Sequence, residues 1–139
     1  MTFKEKYCPE LYLTKCMSRR RRSLMSQLRA GILPIEIEKG RYTPIFDKTI
    51  KKNRKREAKE RVCKLCNLNA IEDEFHFICI CPLFVIPRTA LFAKLRITFN
   101  DFPSLSLPEQ FIYLMTHCQI EISRYLAEIW SIRQTSINT

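Results

Sequence analysis

Two cysteines, a histidine and a third cysteine, placed close together in the middle of the chain, constrain this sequence more than any other feature. Cys63 and Cys66 form a C-x2-C pair, His76 follows, and Cys81 comes directly before a proline. Thiolate sulfur and imidazole nitrogen are ligands that zinc prefers, and four of them complete its tetrahedron. The spacing therefore predicts one zinc knuckle with the ligands Cys63, Cys66, His76 and Cys81.

The fourth ligand has two candidates, because Cys79 lies three residues after His76 and Cys81 lies five residues after it. Side chains five residues apart on a regular α-helix point about 140° away from each other. Cys81 therefore reaches the same ion only if the helix ends before it. Pro82 disfavours helical geometry at Cys81 and so provides that end. We favour Cys81, and the spacing leaves Cys79 as an alternative.

A zinc ion with four protein ligands has no open position for water or substrate, so the predicted site is structural. Three thiolates would give it a net negative charge, which Arg61 and Lys64 are placed to offset. No βαβ pattern surrounds the C-x2-C pair, which argues against a redox role. The sequence also contains no glycine-rich phosphate loop and no nucleophile elbow. We therefore predict neither an enzyme nor a small-molecule substrate.

The cysteine usage favours a reduced compartment. The chain has seven cysteines, whereas secreted disulfide frameworks usually have an even number. No apolar stretch of signal-peptide type opens the chain, and no uncharged run is long enough to span a bilayer. We expect an intracellular protein, with the nucleus as one candidate location, and no membrane partner. The cysteines outside the knuckle are interpreted as small buried apolar residues: Cys8, Cys16, Cys79 and Cys118.

Positive charge is concentrated in the first half of the chain. Residues 1–64 carry 19 lysines and arginines against 7 acidic residues, whereas residues 65–139 carry 5 against 7. This segregation predicts contact with a polyanion, and RNA or DNA is the expected partner because the basic segments lack the apolar face of a membrane-binding helix. A solvated face or a nuclear-import signal is the alternative. The predicted nucleic-acid-binding residues are Arg19, Arg20, Arg21, Arg22, Lys51, Lys52, Arg54, Lys55 and Arg56.

The spacing of apolar residues predicts a mainly α fold. A first helix is expected to begin at residue 14 or 18 and to run to Ala30, with Gly31 as its C-terminal cap. Ile35 and Ile37 alternate with acids, which indicates a short extended piece. Residues 48–61 contain eight basic and two acidic side chains and are interpreted as an exposed arm or a frayed helix. Tyr42 and Phe46, close to this segment, either stack on unpaired bases or lie in the core.

In the second half, Asn69 and Glu72 have the spacing of a capping box for a helix that carries His76. Further helices are expected near residues 87–96, from Pro108 onward, and over about residues 120–134. The predicted fold is thus a small helical domain organised around one structural zinc knuckle, with a basic N-terminal half. Its predicted segments are an N-terminal helix and extended segment (1–47), a basic arm (48–62), the zinc knuckle and following helix (63–97) and a C-terminal helical hairpin (98–139).

Several short motifs occur in an order that is typical of one family. The stretch from Arg22 to Tyr42 contains Leu-Arg-Ala-Gly-Ile-Leu-Pro and Gly-Arg-Tyr. It is followed by Arg-Val-Cys-Lys-Leu-Cys, Ile-Glu-Asp-Glu-Phe-His-Phe and Cys-Pro. Over about residues 3–96 these motifs resemble the zinc-binding region that lies C-terminal to the reverse transcriptase in non-LTR (LINE-type) retrotransposon polyproteins.

The resemblance implies a CCHC knuckle that uses the four ligands named above and helps a parent polymerase to hold RNA template or target DNA. It also implies docking to a reverse transcriptase domain, whose catalytic motifs are absent from this sequence. The basic stretch between Tyr42 and Arg61 is longer than usual for the family, and Pro87 replaces a helix-compatible residue. We therefore expect a non-catalytic zinc-binding module of a retrotransposon reverse transcriptase. The alternative is a protein-interaction or structural remnant that binds no nucleic acid and docks through its apolar C-terminal half.

Overall fold

The computed structural model describes residues 17–138, and within them helices dominate, as the sequence predicts. Cys8 and Cys16 lie outside the described residues, as does any part of the first helix before residue 17. We number the α-helices α1 (Arg19–Ala30), α2 (Glu36–Lys39), α3 (Val85–Thr98), α4 (Leu107–His117) and α5 (Gln119–Ile137). The strands are β1 (Ile45–Asp47) and β2 (Lys52–Arg54), and shorter helical turns are Ala58–Glu60, His76–Ile80, Pro82–Phe84 and Phe102–Ser104.

Helix α1 begins and ends where local signals predict. The Ser18 hydroxyl accepts a hydrogen bond from the backbone N–H of Arg21 at 3.2 Å, which caps the helix start. Gly31 ends the helix with φ 71°, a left-handed conformation that glycine adopts without steric cost. Leu24 and Leu28, which are four residues apart and so share one helix face, are buried together with Met25. The helix therefore packs one apolar face into the core and leaves most of its arginines outside.

The extended piece predicted around Ile35 and Ile37 is wrong, because Glu36–Lys39 forms the single-turn helix α2. The alternation covers only four residues, and the side chain of Glu36 does not face solvent as the pattern supposes. Glu36 is buried, and its backbone N–H donates to a carboxylate oxygen of Glu72 at 2.7 Å. A partner distant in sequence thus decides the local conformation here.

Residues 48–61 are mostly exposed, as predicted, but an ordered strand and a short helical turn take the place of a loose arm or frayed helix. Strands β1 and β2 pair in antiparallel register, and the short helical turn Ala58–Glu60 follows them. The Arg54 guanidinium contacts Asp47 at 2.8 Å and Glu60 at 2.7 Å, so it holds β2 against both neighbours. Hydrogen bonding to Arg54 lowers the pKa of Glu60 to about 2. The few acidic residues of this basic segment therefore order it.

The later helices follow their predicted positions closely. Ser106 caps α4, with Pro108 in its first turn, as expected. Helix α3 begins at Val85, slightly before Pro87, because the first backbone N–H groups of a helix need no intrahelical partner and proline is tolerated there. Phe102, in the predicted loop between α3 and α4, is buried and anchors that loop to the core.

Helix α5 is central to the packing, since it contacts α1, α3 and α4. One core cluster contains buried residues of all these helices and of the segment between Cys63 and Phe84. The Tyr125 hydroxyl, on α5, donates to the backbone carbonyl of Ile78 at 2.6 Å. None of the helices within residues 17–138 combines the length and apolar character needed to cross a membrane.

Candidate metal centre

The four predicted ligands come together in space. The ligand atoms of Cys63, Cys66, His76 and Cys81 all lie within 4.8 Å of one another. The two Sγ atoms of Cys63 and Cys81 are 3.9 Å apart, and Cys66 Sγ lies 3.5 Å from His76 Nε2. Zinc bond lengths in a regular tetrahedron require S–S edges of about 3.8 Å and S–N edges of about 3.6 Å. The cluster therefore has the size of a site for one metal ion.

The loop that carries Cys63 and Cys66 is closed by backbone pairing. An isolated β-bridge joins Val62 to Ile71, and the N–H of Cys63 donates to the carbonyl of Ala70 at 2.8 Å. Asn69 turns the chain with φ 55°, a conformation that asparagine tolerates better than most residues. This closure sets the direction of the C-x2-C pair.

Asp73, instead of the predicted capping box, starts the segment that carries His76. The Asp73 carboxylate accepts from the backbone N–H of His76 at 2.8 Å. Asn69 is occupied by the left-handed turn, and Glu72 turns inward, where it finds stronger partners than a helix end provides. The capping-box prediction is therefore wrong, although an acidic residue of the same Glu-Asp-Glu run does the capping.

A π-helical turn, His76–Ile80, allows the side chains of His76 and Cys81 to reach the same cluster. The N–H of Cys81 donates to the carbonyl of His76 at 2.8 Å, a hydrogen bond between residues five apart. This wider turn brings residues five apart closer to one face than an α-helix does. The helix therefore widens before it ends at Pro82, and both changes direct Cys81 to the cluster.

Cys79, the alternative fourth ligand, lies outside the four-residue cluster. It is 5% exposed and belongs to the hydrophobic core. Burial raises the pKa of its thiol to about 12, so the neutral form is favoured. Cys118 is buried in the same way, and burial also raises the pKa of its thiol to about 12. Both cysteines occupy the core, as the interpretation of them as small apolar residues expects.

The thiols inside the cluster are coupled to each other. The hydrogen bond to Cys81 and burial raise the pKa of Cys63 to about 12. The hydrogen bond between the same two thiols lowers the pKa of Cys81. A thiolate is the form that binds metal, so metal binding at these cysteines releases protons.

A buried ion pair lies directly behind the cluster, and the sequence analysis missed it. Glu72 and Arg133 are each 1% exposed, and two hydrogen bonds of 2.8 and 3.1 Å join them. The Glu72 carboxylate also lies 3.9 Å from Cys63 Sγ. The pair therefore connects a predicted metal ligand to helix α5. A sequence signal for Arg133 exists, since it continues the apolar stripe of Ile122, Leu126 and Ile129 with helical spacing.

Two further guanidinium groups lie near the cluster, in addition to the predicted Arg61 and Lys64. Arg61 donates to backbone carbonyls of Ile37 and Arg56, and Lys64 approaches Glu36 at 3.7 Å. By contrast, Arg88 donates to the carbonyl of Cys81 at 3.0 Å. Arg88 and Arg133 therefore bring guanidinium groups close to the ligand set.

No known family model, curated protein or solved structure matches this chain. Its own residues and their geometry therefore carry the functional argument.

The predicted nucleic-acid-binding residues divide into two groups. Four of them have partners inside the chain: Arg20 and Arg21 donate to Ser131 and Ser123 of α5, Arg54 is paired as described above, and Arg56 contacts Glu36 at 2.9 Å. Five have exposed side chains: Arg19, Arg22, Lys51, Lys52 and Lys55. The first group holds elements together, and the second group is free to meet a phosphate backbone.

Proposed function

We propose that this chain is a non-catalytic zinc-binding module that contacts RNA or DNA through its basic N-terminal half. The observation that carries the proposal is the cluster of Cys63, Cys66, His76 and Cys81, whose ligand atoms lie within 4.8 Å of one another. Three sulfur atoms and one imidazole nitrogen are typical of zinc, and a tetrahedron filled by protein atoms is typical of structural sites.

The role of the zinc ion in this proposal is to join segments that are otherwise weakly connected. One pair of ligands comes from the closed loop of residues 62–71, and the other comes from the π-helical turn and its end. Through Glu72 and Arg133 the joined segments are linked to α5, and α5 in turn binds Arg20 and Arg21 of α1. The metal thereby supports the elements that carry the exposed basic residues.

Nucleic-acid binding is supported by the exposed basic residues that remain after internal pairing. They lie in two places, at the start of α1 and along the β1–β2 hairpin and its exit. Contacts of lysine and arginine with phosphates give affinity that depends on salt and carries little sequence preference. The motif order that resembles the region after a non-LTR retrotransposon reverse transcriptase supports such a polymerase domain as the docking partner.

Salt dependence tests this proposal. Binding of the zinc-loaded chain to a labelled oligonucleotide is expected to weaken steeply between about 50 and about 200 mM salt. The double variant Lys51→Gln/Lys52→Gln is expected to reduce the slope of log affinity against log salt by about 1.4–1.8, because two phosphate contacts are lost. Fluorescence anisotropy titrations measure both effects.

Lys94→Gln/Arg96→Gln is the matched control, since it removes the same charge from exposed positions on α3. An equal change of slope in this control would mean that net charge, and not the hairpin surface, determines binding. Absent or salt-independent binding of the parent chain would contradict the proposal.

The alternative function, a protein-interaction or structural piece, has one supporting observation. Ile86 and Ile97 on α3 are 81% and 84% exposed. In contrast, much of the apolar C-terminal half expected to dock is used inside the chain, where for example Phe111, Leu114 and Met115 are buried. A stable dimer on size-exclusion chromatography, without nucleic-acid binding, would favour this alternative.

A further inference from the structure

The β1–β2 hairpin and the residues beside it expose aromatic side chains. Tyr42 and Phe46 are 59% and 61% exposed, so both rings are accessible to a ligand on an otherwise basic segment. Phe46 pairs with Asn53, whereas its neighbours on β1, Ile45 and Asp47, pair with Arg54 and Lys52. Successive strand residues point to opposite faces, so Phe46 lies on the face opposite Arg54.

Internal ion pairs hold the hairpin in one position. Arg54 binds Asp47 and Glu60 on one face, which ties the hairpin to the turn Ala58–Glu60. Arg56 binds Glu36 at 2.9 Å and the Thr43 hydroxyl at 2.9 Å, which fixes the base of the hairpin beside Tyr42. The exposed rings are therefore presented by an anchored element, so little order has to be gained when a ligand binds.

The positive charge of the hairpin indicates the class of ligand that fits it. Between Tyr42 and Lys55 the sequence contains one acidic residue, Asp47, and Arg54 neutralises it. Four lysines of this segment remain exposed: Lys48 and Lys51 in the turn, Lys55 after β2, and Lys52, which the strand register places on the face opposite Phe46. A ligand that satisfies this surface must combine regularly spaced negative charge with flat rings.

We propose that the hairpin surface, residues 42–55, binds single-stranded nucleic acid, with Tyr42 and Phe46 stacking on unpaired bases while the lysines contact phosphates. This inference rests on the proposed function and names the class of nucleic acid. Aromatic side chains stack on bases that are not already stacked in a duplex, and such stacking tolerates any sequence. Duplex nucleic acid offers the phosphates to the lysines but hides the faces of its bases.

Fluorescence anisotropy with a single-stranded oligonucleotide and with its duplex tests the inference on the zinc-loaded full chain. Phe46→Ala and Tyr42→Ala are each expected to weaken single-strand binding by roughly tenfold or more. Their effect on the duplex is expected to stay below about twofold, because phosphate contacts are unchanged. Tyr42→Phe is expected to retain the affinity, since the ring remains. The salt slope should not change in any of these variants.

Ile97→Ala is the matched control, because it truncates an exposed apolar side chain of α3 and should leave both affinities unchanged. Equal midpoints of thermal unfolding for parent and variants establish that the substitutions change binding without changing the stability of the fold. Loss of affinity for single strand and duplex alike, or no loss in either aromatic variant, would overturn the inference.

The outcomes also separate this inference from the proposed function. If the aromatic variants bind normally while Lys51→Gln/Lys52→Gln lowers the salt slope, the stacking surface is refuted and nucleic-acid binding stands. If the parent chain binds no oligonucleotide, both are refuted. Binding to vesicles that contain anionic lipid, with dependence on Phe46 and without oligonucleotide binding, would overturn both in favour of a membrane surface.

Discussion

Removal of the metal is expected to destabilise the chain strongly. A chelator that competes for zinc should lower the midpoint of thermal unfolding by roughly 15 °C. This figure follows from about 4 kcal/mol of binding energy at zinc concentrations about 1,000 times the dissociation constant, with roughly 3–5 °C for each kcal/mol. Circular dichroism at the helical signal, recorded with and without chelator, measures the shift.

The physical reason for this large effect lies in residues 61–81. Regular structure in that segment is limited to one isolated β-bridge and a short π-helical turn. Its buried residues, among them Phe77 and Ile78, belong to the same core cluster as α5. Loss of the metal therefore exposes apolar surface that the rest of the core depends on, and three thiols and a histidine are left without their ion.

Addition of zinc in excess of the chelator should restore the original midpoint, whereas magnesium should not, because magnesium prefers oxygen ligands. An unfolding midpoint that does not respond to chelation would contradict a structural role for the metal.

The second large effect is expected at the buried ion pair. Arg133→Met leaves the Glu72 carboxylate buried without its partner, 3.9 Å from a cysteine sulfur. Breaking a buried pair by removal of one member typically costs about 3–5 kcal/mol. The double variant Glu72→Gln/Arg133→Met should recover part of that loss, since no unpaired charge remains. Urea unfolding of the zinc-loaded chain measures the free energies of all three proteins.

Lys59→Met is the matched control for this experiment. It removes one member of an ion pair with Glu57 that is exposed on both sides, so the expected loss is at most about 1 kcal/mol. A cost for Arg133→Met that is no larger than the control would mean that the buried pair does not couple the metal cluster to α5. A double variant less stable than the single one would contradict the account of an unpaired buried charge.

Local signals in the sequence predicted the parts of the structure that depend on neighbours in the chain. The first helix begins after Ser18 and ends at Gly31, and Pro108 lies in the first turn of α4; these predictions are confirmed. The four side chains predicted as ligands also come together, and their ligand atoms lie within 4.8 Å of one another. Cys81 could be favoured over Cys79 from Pro82 alone.

The parts that sequence reasoning missed depend on partners far away along the chain. Helix α2 forms in place of an extended piece because the backbone N–H of Glu36 donates to the Glu72 carboxylate. Glu72 in turn leaves its expected capping position because it forms an ion pair with Arg133 of α5. The basic composition of the β1–β2 hairpin gave no sign of ordered structure. One arginine, Arg54, orders it by pairing with both Asp47 and Glu60. The π-helical turn has no sequence signature beyond the proline that follows it.

Metal analysis of the purified chain is the most direct test of a four-ligand zinc centre. Elemental analysis is expected to find one zinc ion per chain in the parent protein, to find it again in Cys79→Ala, and to find none in Cys81→Ala. Each substitution removes one thiol, and the two positions are only two residues apart. They differ in that Cys81 belongs to the cluster and Cys79 does not. A parent chain without zinc, or a Cys79→Ala variant that loses zinc while Cys81→Ala retains it, would contradict the account.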